Sequence, residues 1–479
     1  MKDWFDHILF HTRAQPQKPA IVMEDRVVTY GMLGLGIERC ARRIVASQAA
    51  GNGPVAVMVQ NPIRHLTLCL ALTRIGVPSV SLEHDQTGIA GLKFAAVLGD
   101  REAARRVAPG NRFIEAADEW FSAGAPGSDA LPEGFRGGRP VCRISLTSGS
   151  TGAPAQVPHS VEGVGQRILE KILGCVDAST TAMLCLPGLS SILGFSTSCA
   201  ALTAGRTLCF AENFAQAVRM IDLFSVDVAM TATEQLLMLT RAAQKSGAQL
   251  RSLRTVWVTG STPTRPLLEA AMAYVCKDIF CRYGVSEVGL LARTTARELL
   301  AEPTLAGHLA PGVEVAAFDP QGRRLPPGQT GILKRRRDNE DDSDLPHEQD
   351  STWVDLGDLG WVTAGGQLHV AGRVGEAAAT PVNLSPIHEI EHLVRLKWDI
   401  DNAAAVLAGS GADELWIAVV GSVRINAEEV EALARPRGIR QPIRLFYLPV
   451  IPRGANGKVN RAELKAMMQQ SVSGIAVSR

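Results

Sequence analysis

A short run of hydroxyl residues and glycines contains the side chains most directly suited to chemistry. Residues 146–152 read Leu-Thr-Ser-Gly-Ser-Thr-Gly. Glycine permits the positive φ that brings backbone amides close to a ligand, and hydroxyls donate hydrogen bonds to anionic oxygens. The hydroxyl residues are Thr147, Ser148, Ser150 and Thr151, and the glycines are Gly149 and Gly152. We therefore predict that residues 146–152, called the phosphate loop below, form a cradle for phosphate groups.

The residues on either side of the phosphate loop favour an ordered structure. A Ser/Gly run on its own is more often a flexible linker. This run follows β-branched and apolar residues at 141–146, and Pro154 lies just after it. The pattern predicts a strand that leads into an ordered loop. The run lacks the Gly-x-x-x-x-Gly-Lys-Ser/Thr spacing of the P-loop NTPases, so we expect a nucleotide site of another kind.

Composition excludes several classes of function. The formal net charge is +1, so no overall field attracts nucleic acid or an anionic membrane. The longest apolar stretch, residues 66–82, is interrupted by Arg74, Gly76 and Pro78, and is therefore not expected to span a bilayer. The 9 cysteines include no Cys-x-x-Cys pair and lie among apolar neighbours, as expected of reduced core thiols. With acidic residues in place of a signal peptide, these features predict a cytoplasmic enzyme.

The chain is long enough for two or more domains, because 479 residues exceed what one hydrophobic core usually supports. Strand-like runs alternate with helical runs to about residue 290, which predicts α/β units. After Gly307 strands and turns dominate, and residues 334–351 read as a solvated loop of basic and then acidic residues. Residues 386–448 predict a small unit of helices and strands. The expected fold class is α/β, with two α/β sheet lobes and a β-rich lobe in a large N-terminal domain and a small α+β C-terminal domain.

Four further motifs follow the phosphate loop in order. They are Tyr283-Gly284-Val285-Ser286-Glu287, Leu356-Gly357-Asp358-Leu359, Gly372-Arg373 and Asn456-Gly457-Lys458-Val459-Asn460-Arg461. Together the five motifs resemble those of the adenylate-forming superfamily, which includes acyl-CoA synthetases, nonribosomal-peptide adenylation domains and luciferases. The resemblance covers nearly the whole chain, and the shared order and spacing make it far more specific than any single motif.

The resemblance implies that the protein joins a carboxylic acid to the α-phosphate of ATP. An acyl- or aryl-adenylate would form first, and its acyl group would then pass to the thiol of CoA or of a carrier protein's phosphopantetheine. The partners implied are a small carboxylic acid and a separate acyl or peptidyl carrier protein, with neither nucleic acid nor membrane. Such chemistry requires neutralised phosphate charge, in-line positioning and a cation at the bridging oxygen.

The resemblance also assigns roles to the motif residues. Glu287 resembles the carboxylate that holds Mg²⁺, a cation that prefers oxygen ligands, and Ser286 resembles the hydroxyl that meets the α-phosphate. Lys458 resembles the lysine that bridges carboxylate and α-phosphate from a mobile loop. The implied domains are residues 1–372, which bind ATP and acid, and residues 373–479, a mobile domain that carries Lys458.

The nucleoside would be bound by a second group of residues. Tyr283 and Gly284 resemble the segment that stacks on adenine, and Asp358 and Arg373 resemble the residues that bind the ribose. The turn that would close over the base is Gly260, Ser261 and Thr262. Simpler interpretations remain open: Tyr283 could be a core residue, Glu287 an exposed turn residue, Asp358 a turn-fixing residue and Arg373 a surface charge.

The chain departs from the family pattern at three places. A lysine usually follows the phosphate loop, whereas this chain has Ala155 and Gln156, so one compact positive charge is missing. The hinge aspartate is replaced by Gly375, and Pro381 closes an altered segment after it. The third departure is the absence of a histidine from residues 187–194, where the family has one at the acyl pocket.

Three segments are expected to line the acid pocket, namely residues 187–195, 230–235 and 286–291. They mix small and aliphatic residues with hydroxyls. Residues 231–234 do not reproduce the buried aspartate that holds an α-amine in amino-acid-activating relatives. A modest aryl acid or a medium acyl acid is therefore expected in preference to an amino acid.

Two other functions are open at this stage. His388-Glu389-Ile390-Glu391-His392 satisfies the His-Glu-x-x-His pattern of a zinc metallopeptidase on a predicted helix, with Glu389 as general base. The losses at Ala155 and Gly375 would also suit a degenerate adenylate-binding protein without enzyme activity. Glu287, Asp358, Arg373 and Lys458 all match the family pattern, which favours the enzyme.

Overall fold

The computed structural model describes most of the chain. The described residues are 3–51, 53–83, 92–108, 110–122, 130–135, 140–148, 154–337, 352–374, 386–398, 400, 402–408, 414–452 and 459–475. Their strands are β1 Pro19–Met23, β2 Arg26–Thr29, β3 Val55–Met58, β4 Ser79–Ser81, β5 Ala96–Gly99, β6 Phe113–Glu115, β7 Val141–Ser148, β8 Pro154–Ser160, β9 Ala182–Cys185, β10 Thr207–Cys209, β11 Val228–Ala232, β12 Thr255–Thr259, β13 Ile279–Val285, β14 Gly289–Thr295, β15 Leu305–Leu309, β16 Val315–Phe318, β17 Gly331–Arg336, β18 Trp353–Val362, β19 Gln367–Arg373, β20 Asn402–Ala408, β21 Glu414–Val420 and β22 Ile443–Tyr447.

The helices alternate with these strands over the first three hundred or so residues, as the sequence predicted. They are α1 Trp4–Ala14, α2 Tyr30–Ala46, α3 Pro62–Arg74, α4 Val161–Gly174, α5 Ile192–Thr203, α6 Phe214–Leu223, α7 Thr233–Ser246, α8 Arg265–Tyr274, α9 Ala296–Ala301, α10 Pro386–Lys397, α11 Ala427–Ala434 and α12 Arg461–Ile475. Their ends follow local chemistry. Asn61 caps α3 with Pro62 in its first turn, and α7 ends at Gly247, whose φ is 66°.

Two sheets form the large N-terminal part. One has six strands in the order β6-β5-β3-β4-β7-β8, and the other has thirteen in the order β16-β17-β18-β19-β15-β14-β13-β12-β11-β9-β10-β1-β2. The α/β fold is confirmed. The strands expected to form a β-rich lobe continue the large sheet, because β14 pairs antiparallel with β13.

The hydrophobic core lies on both faces of the large sheet. One cluster joins residues of α1 to α5 with strands of both sheets, so those helices pack between the sheets. A second cluster packs α6, α7, α8 and α9 on the opposite face. This layering places the carboxyl ends of β11, β12 and β13 at one edge of the sheet, where α/β proteins bind ligands.

The C-terminal unit has its own three-stranded sheet, β20-β21-β22, with α10, α11 and α12 around it. The helices and strands expected between residues 386 and 448 are present. One sequence interpretation was wrong, because Lys334, Arg335 and Arg336 belong to β17 instead of a loop. Arg336 pairs there with Glu314, which directly precedes β16. The last helix, α12, extends to Ile475.

All nine cysteines are free and buried, which confirms the expected core thiols. No helix among the described residues is long and apolar enough to cross a membrane.

Candidate functional site

The phosphate loop lies at the tip of an antiparallel strand pair. In the β7–β8 ladder Val141 pairs with Ser160 at one end and Ser148 with Pro154 at the other. The two ends of the loop are therefore adjacent. Residues 149–153, which include Gly149, Ser150, Thr151 and Gly152, lie outside the described residues, as do the side chains of Thr147 and Ser148. Ala155 pairs with Thr147 in this ladder, so the position of the missing lysine is at the base of the loop.

A buried polar network lies beneath this strand pair. Ser145 Oγ and His159 Nε2 are 2.7 Å apart and both residues are buried. Burial, together with the nearby charges of Arg167 and Arg143, lowers the pKa of His159 to about 2, so its imidazole stays neutral. The contact between Ser145 and His159 at the base of the phosphate loop therefore involves a neutral histidine.

Arg143 links β7 to a segment expected to line the acid pocket. Its side chain is fully buried and donates to Ser81 Oγ at 2.8 Å and to the carbonyl oxygen of Leu189. Its guanidinium also lies 4.1 Å from the centre of the Phe195 ring. Sequence reasoning missed this residue, although an arginine within an otherwise apolar strand was a visible signal.

The structure brings Tyr283 and Asp358 together. The Tyr283 hydroxyl donates to Asp358 Oδ2 at 2.5 Å, and Asp358 is only 4% exposed. Their strands, β13 and β18, are not neighbours in the large sheet, so the sheet curls to make this contact. Arg373 is directly opposite Asp358 in the β18–β19 ladder, although its side chain lies outside the described residues. The residues predicted to bind adenine and ribose thus belong to one region.

Ser286 and Glu287 occupy the tight turn between β13 and β14. Gly284 makes the turn possible, since a Cβ atom at this position would lie 2.2 Å from the carbonyl oxygen of Gly289. Arg167 on α4 donates through Nη2 to the carbonyl oxygens of Ser286 at 2.8 Å and of Glu287 at 3.3 Å. Because α4 follows β8 directly, Arg167 ties this turn to the element that carries the phosphate loop. Arg167 is 119 positions from Ser286 in the chain, so no local sequence pattern indicates this contact.

The Gly260–Thr262 segment reaches the same edge of the sheet. Gly260 follows β12 with a φ of 98°, a conformation that favours glycine. The hydroxyl of Thr233 at the start of α7 donates to the carbonyl oxygen of Ser261. Residues predicted to enclose the base and residues predicted to line the acid pocket therefore contact each other here.

Lys458 and residues 453–457 lie outside the described residues. The ends of their segment are close together, because the Asn460 amide donates to the carbonyl oxygen of Pro452 at 2.9 Å. Gly375 and the altered segment to Pro381 also lie outside the described residues. The roles given to Lys458 and Gly375 remain predictions.

The His-Glu-x-x-His pattern lies on α10, but its described side chains make other contacts. Glu389 accepts from Arg437 Nε at 3.0 Å, and His392 Nδ1 is 2.8 Å from the hydroxyl of Thr264, the N-cap of α8. The described residues contain no cluster of three or more side chains of the types that hold a metal. These contacts give α10 a structural role and do not favour the peptidase.

The donor chemistry near Glu287 fits a magnesium ion held with phosphates. Magnesium commonly uses one or two carboxylates together with substrate phosphate oxygens and water, instead of a complete protein cage. Glu287 stands in a turn whose backbone is held by Arg167, close in the chain to the Tyr283–Asp358 pair. With ATP bound, Glu287 would be the protein carboxylate of such a site.

The sequence is similar to a known family and to curated relatives along most of its length. The family described as AMP-binding enzyme matches residues 10–339. The fatty acid–[acyl-carrier-protein] ligase ScoC of Streptomyces coeruleorubidus is 24% identical, with 95% of this chain and 94% of that protein covered. The indoleacetate–CoA ligase of Aromatoleum aromaticum is 27% identical, with 98% of each covered.

Solved structures show the same fold over nearly the whole chain. The O-succinylbenzoate coenzyme A synthetase MenE of Bacillus subtilis, in complex with ATP and magnesium, has a TM-score of 0.74 at 19% identity, with 97% of this chain and 99% of that chain covered. The amide bond synthetase McbA of Marinactinospora thermotolerans has a TM-score of 0.71 at 22% identity, with 97% and 99% covered.

Proposed function

The chain belongs to the family of AMP-binding enzymes, and from this premise we propose that it activates a carboxylic acid with ATP and passes the acyl group to a thiol. The main support for the proposal is the hydrogen bond between Tyr283 and Asp358, beside the turn that contains Ser286 and Glu287. With the roles proposed for them, these residues would hold the nucleoside and the α-phosphate of one ATP next to each other.

In the proposed first step the acid's carboxylate attacks the α-phosphate, and pyrophosphate leaves. The phosphate loop would hold the outer phosphates through Thr147, Ser148, Ser150 and Thr151, while Lys458 would neutralise the developing charge at the α-phosphate. Bound magnesium would supply further positive charge. Without a lysine at Ala155, the outer phosphates have one fewer cation, so we expect slower adenylation than in enzymes that keep it.

In the proposed second step a phosphopantetheine thiol displaces AMP from the adenylate. The same thiol chemistry is offered by CoA and by a carrier protein, and relatives named for each acceptor match this chain. We propose a large domain at residues 1–372, a small domain at residues 373–479 that brings in Lys458, and a cytoplasmic location. The relatives' named acids support an aryl or medium acyl substrate.

The test is pyrophosphate release over a panel of aryl and acyl acids, followed by thioester assays with CoA and with a phosphopantetheinylated carrier protein. We expect release with at least one acid, and a thioester with one acceptor. Lys458→Ala should reduce release by a factor of about 100 or more, as expected when a transition-state charge is removed. Lys465→Ala on α12 is the matched control and should retain activity.

Three other outcomes would contradict parts of the proposed function. If ATP binds but no acid releases pyrophosphate, the protein is a degenerate adenylate-binding protein. If Lys458→Ala turns over at the wild-type rate, the role proposed for Lys458 is wrong. Stoichiometric zinc in the purified protein would revive the peptidase interpretation.

A further inference from the structure

The side chain of Arg167 on α4 lies against the turn that contains Ser286 and Glu287. This turn joins β13, which ends at Val285, to β14, which begins at Gly289. Arg167 Nη2 donates to the carbonyl oxygens of Ser286 at 2.8 Å and of Glu287 at 3.3 Å. Arg167 Nη1 lies next to Gly289, where a Cβ atom would be 3.1 Å from it. One guanidinium group therefore contacts the turn along its whole length.

Arg167 is the group that holds this turn in place. Within the part of the chain that the structure describes, no backbone amide donates to the carbonyl oxygens of Ser286 and Glu287, so the turn depends on a side chain for these two hydrogen bonds. Both residues are half-buried, so water could hydrate the two oxygens if the guanidinium were removed. The chain would then still fold, but the turn would lose its fixed position.

Arg167 is also fixed relative to the strand pair that carries the phosphate loop. Its helix, α4, begins directly after β8, and the hydroxyl of Ser160 caps it by accepting from the Gly163 amide at 3.0 Å. Burial, together with the charge of Arg167, lowers the pKa of His159 on β8, so the guanidinium lies near the base of that pair. One side chain thus connects the two elements that are expected to bind phosphate groups.

We propose that Arg167 is a positioning residue for adenylation, which holds Glu287 in place relative to the phosphate loop through the backbone of the turn. This inference rests on the proposed function, which assigns magnesium to Glu287 and the outer phosphates of ATP to the phosphate loop. Magnesium demands nearly ideal coordination geometry, so its affinity is sensitive to small shifts of a carboxylate ligand. Residues that orient a metal ligand typically change metal affinity or activity by a factor of about 10 to 100 when they are replaced.

The first experiment measures pyrophosphate release at saturating ATP and acid while the magnesium concentration is varied. Arg167→Met should raise the magnesium concentration for half-maximal rate by a factor of about 10 and lower kcat, with the KM of the acid unchanged. Arg167→Lys should restore part of the loss, because an ammonium group can still donate to one of the two carbonyl oxygens. Arg297→Met removes an exposed cation from α9 and should behave as the wild type.

The second experiment measures ATP binding without turnover. In isothermal titration calorimetry without acid, wild type and Arg297→Met should bind ATP more tightly with magnesium than with EDTA. Arg167→Met should lose most of this difference and keep the wild-type affinity in EDTA. Should Arg167→Met fail to fold, Arg167→Gln, which has a shorter and neutral donor, must show a reduced difference.

The outcomes separate the positioning role from a merely structural one. An equal dependence on magnesium in wild type and Arg167→Met would overturn the positioning role, as would a parallel loss of ATP affinity in EDTA and of acid KM. Either result would leave acid activation intact. Absence of pyrophosphate release from the wild type with every acid would overturn the proposed function, whereas the calorimetry would still test the role of Arg167.

Discussion

Lys171 is a buried lysine whose charge lowers the stability of the folded protein. It is buried on α4 and faces Arg282 from β13, with Arg167, Glu170 and Cys175 on its own segment. Its pKa is lowered to about 7 from 10.5 by burial first and then by Arg282. Below pH 7 the folded protein therefore bears the cost of a buried charge, whereas at higher pH the folded lysine is neutral.

We predict that Lys171→Met stabilises the protein in a pH-dependent way. Between pH 7 and 10.5 the unfolded chain binds the extra proton, so the wild-type free energy of unfolding rises with pH over this window. The substitution should add about 2 kcal/mol below pH 7, and this gain should shrink as pH approaches 10.5. Melting temperatures at both ends of the window measure the effect.

Lys277→Met is the matched control, because Lys277 is exposed. It should leave the melting temperature nearly unchanged at each pH. A gain from Lys171→Met that is equal at low and high pH would contradict a neutral buried lysine and attribute the effect to packing alone.

At the residue scale, the sequence motifs predicted the candidate site residues but not the residues that hydrogen-bond to them. Tyr283, Ser286, Glu287 and Asp358 were found because their types follow a family order. Arg167 was missed because its contacts with Ser286 and Glu287 join residues 119 and 120 positions apart, a separation that no local pattern records.

At the scale of elements, the β13–β14 turn determines where Ser286 and Glu287 lie. We predict that Gly284→Ala separates the two strands, because a Cβ atom there would be 2.2 Å from the carbonyl oxygen of Gly289, which is backbone and cannot rotate away. Pyrophosphate release should fall by a factor of about 100, as for other displaced transition-state groups, and the melting temperature should drop.

Gly365→Ala tests whether any glycine substitution has this effect. The nearest atom to a Cβ at Gly365 is Thr363 Oγ1 at 3.8 Å, and the residue is exposed. This variant should keep wild-type activity and stability. Wild-type pyrophosphate release from Gly284→Ala would show that the turn tolerates displacement.

Elements themselves were largely predictable. The sequence predicted helices and strands within residues 386–448, and the structure has them there: β21 is a continuous buried apolar run, and α11 buries Val430 and Ala434, four positions apart. The basic run of Lys334, Arg335 and Arg336 was wrongly assigned to a loop. Its charges are compatible with a strand because Arg336 pairs with Glu314, which directly precedes β16, a contact that forms only on folding.

At the scale of the whole molecule, α10 joins the C-terminal unit to the large sheet domain. Arg395 donates to both carboxylate oxygens of Glu234 on α7, and His392 contacts Thr264, the N-cap of α8. Leu396 packs against the core of α7 and α8. These contacts join the C-terminal unit to the large domain in this structure.

We predict that Arg395→Met loosens this junction. Loss of this bidentate pair, in which Arg395 is buried and Glu234 half-exposed, should populate other domain orientations. The radius of gyration from small-angle X-ray scattering should therefore increase while helix content by circular dichroism is unchanged. Arg437→Met is the matched control, since Arg437 pairs with Glu389 of the same helix but within the C-terminal unit. An equal radius of gyration in wild type and Arg395→Met would show that other contacts hold the orientation.

The order of motifs from the phosphate loop to Lys458 identified the family, and the periodicity of apolar residues identified most elements, because both depend on neighbours close in the chain. Only the tertiary structure placed Arg143 against Leu189, Arg282 beside Lys171, and Arg395 against Glu234. The last pair spans 161 positions. Such contacts depend on how sheets curl and helices pack, and their energies depend on burial, which no single segment of sequence contains.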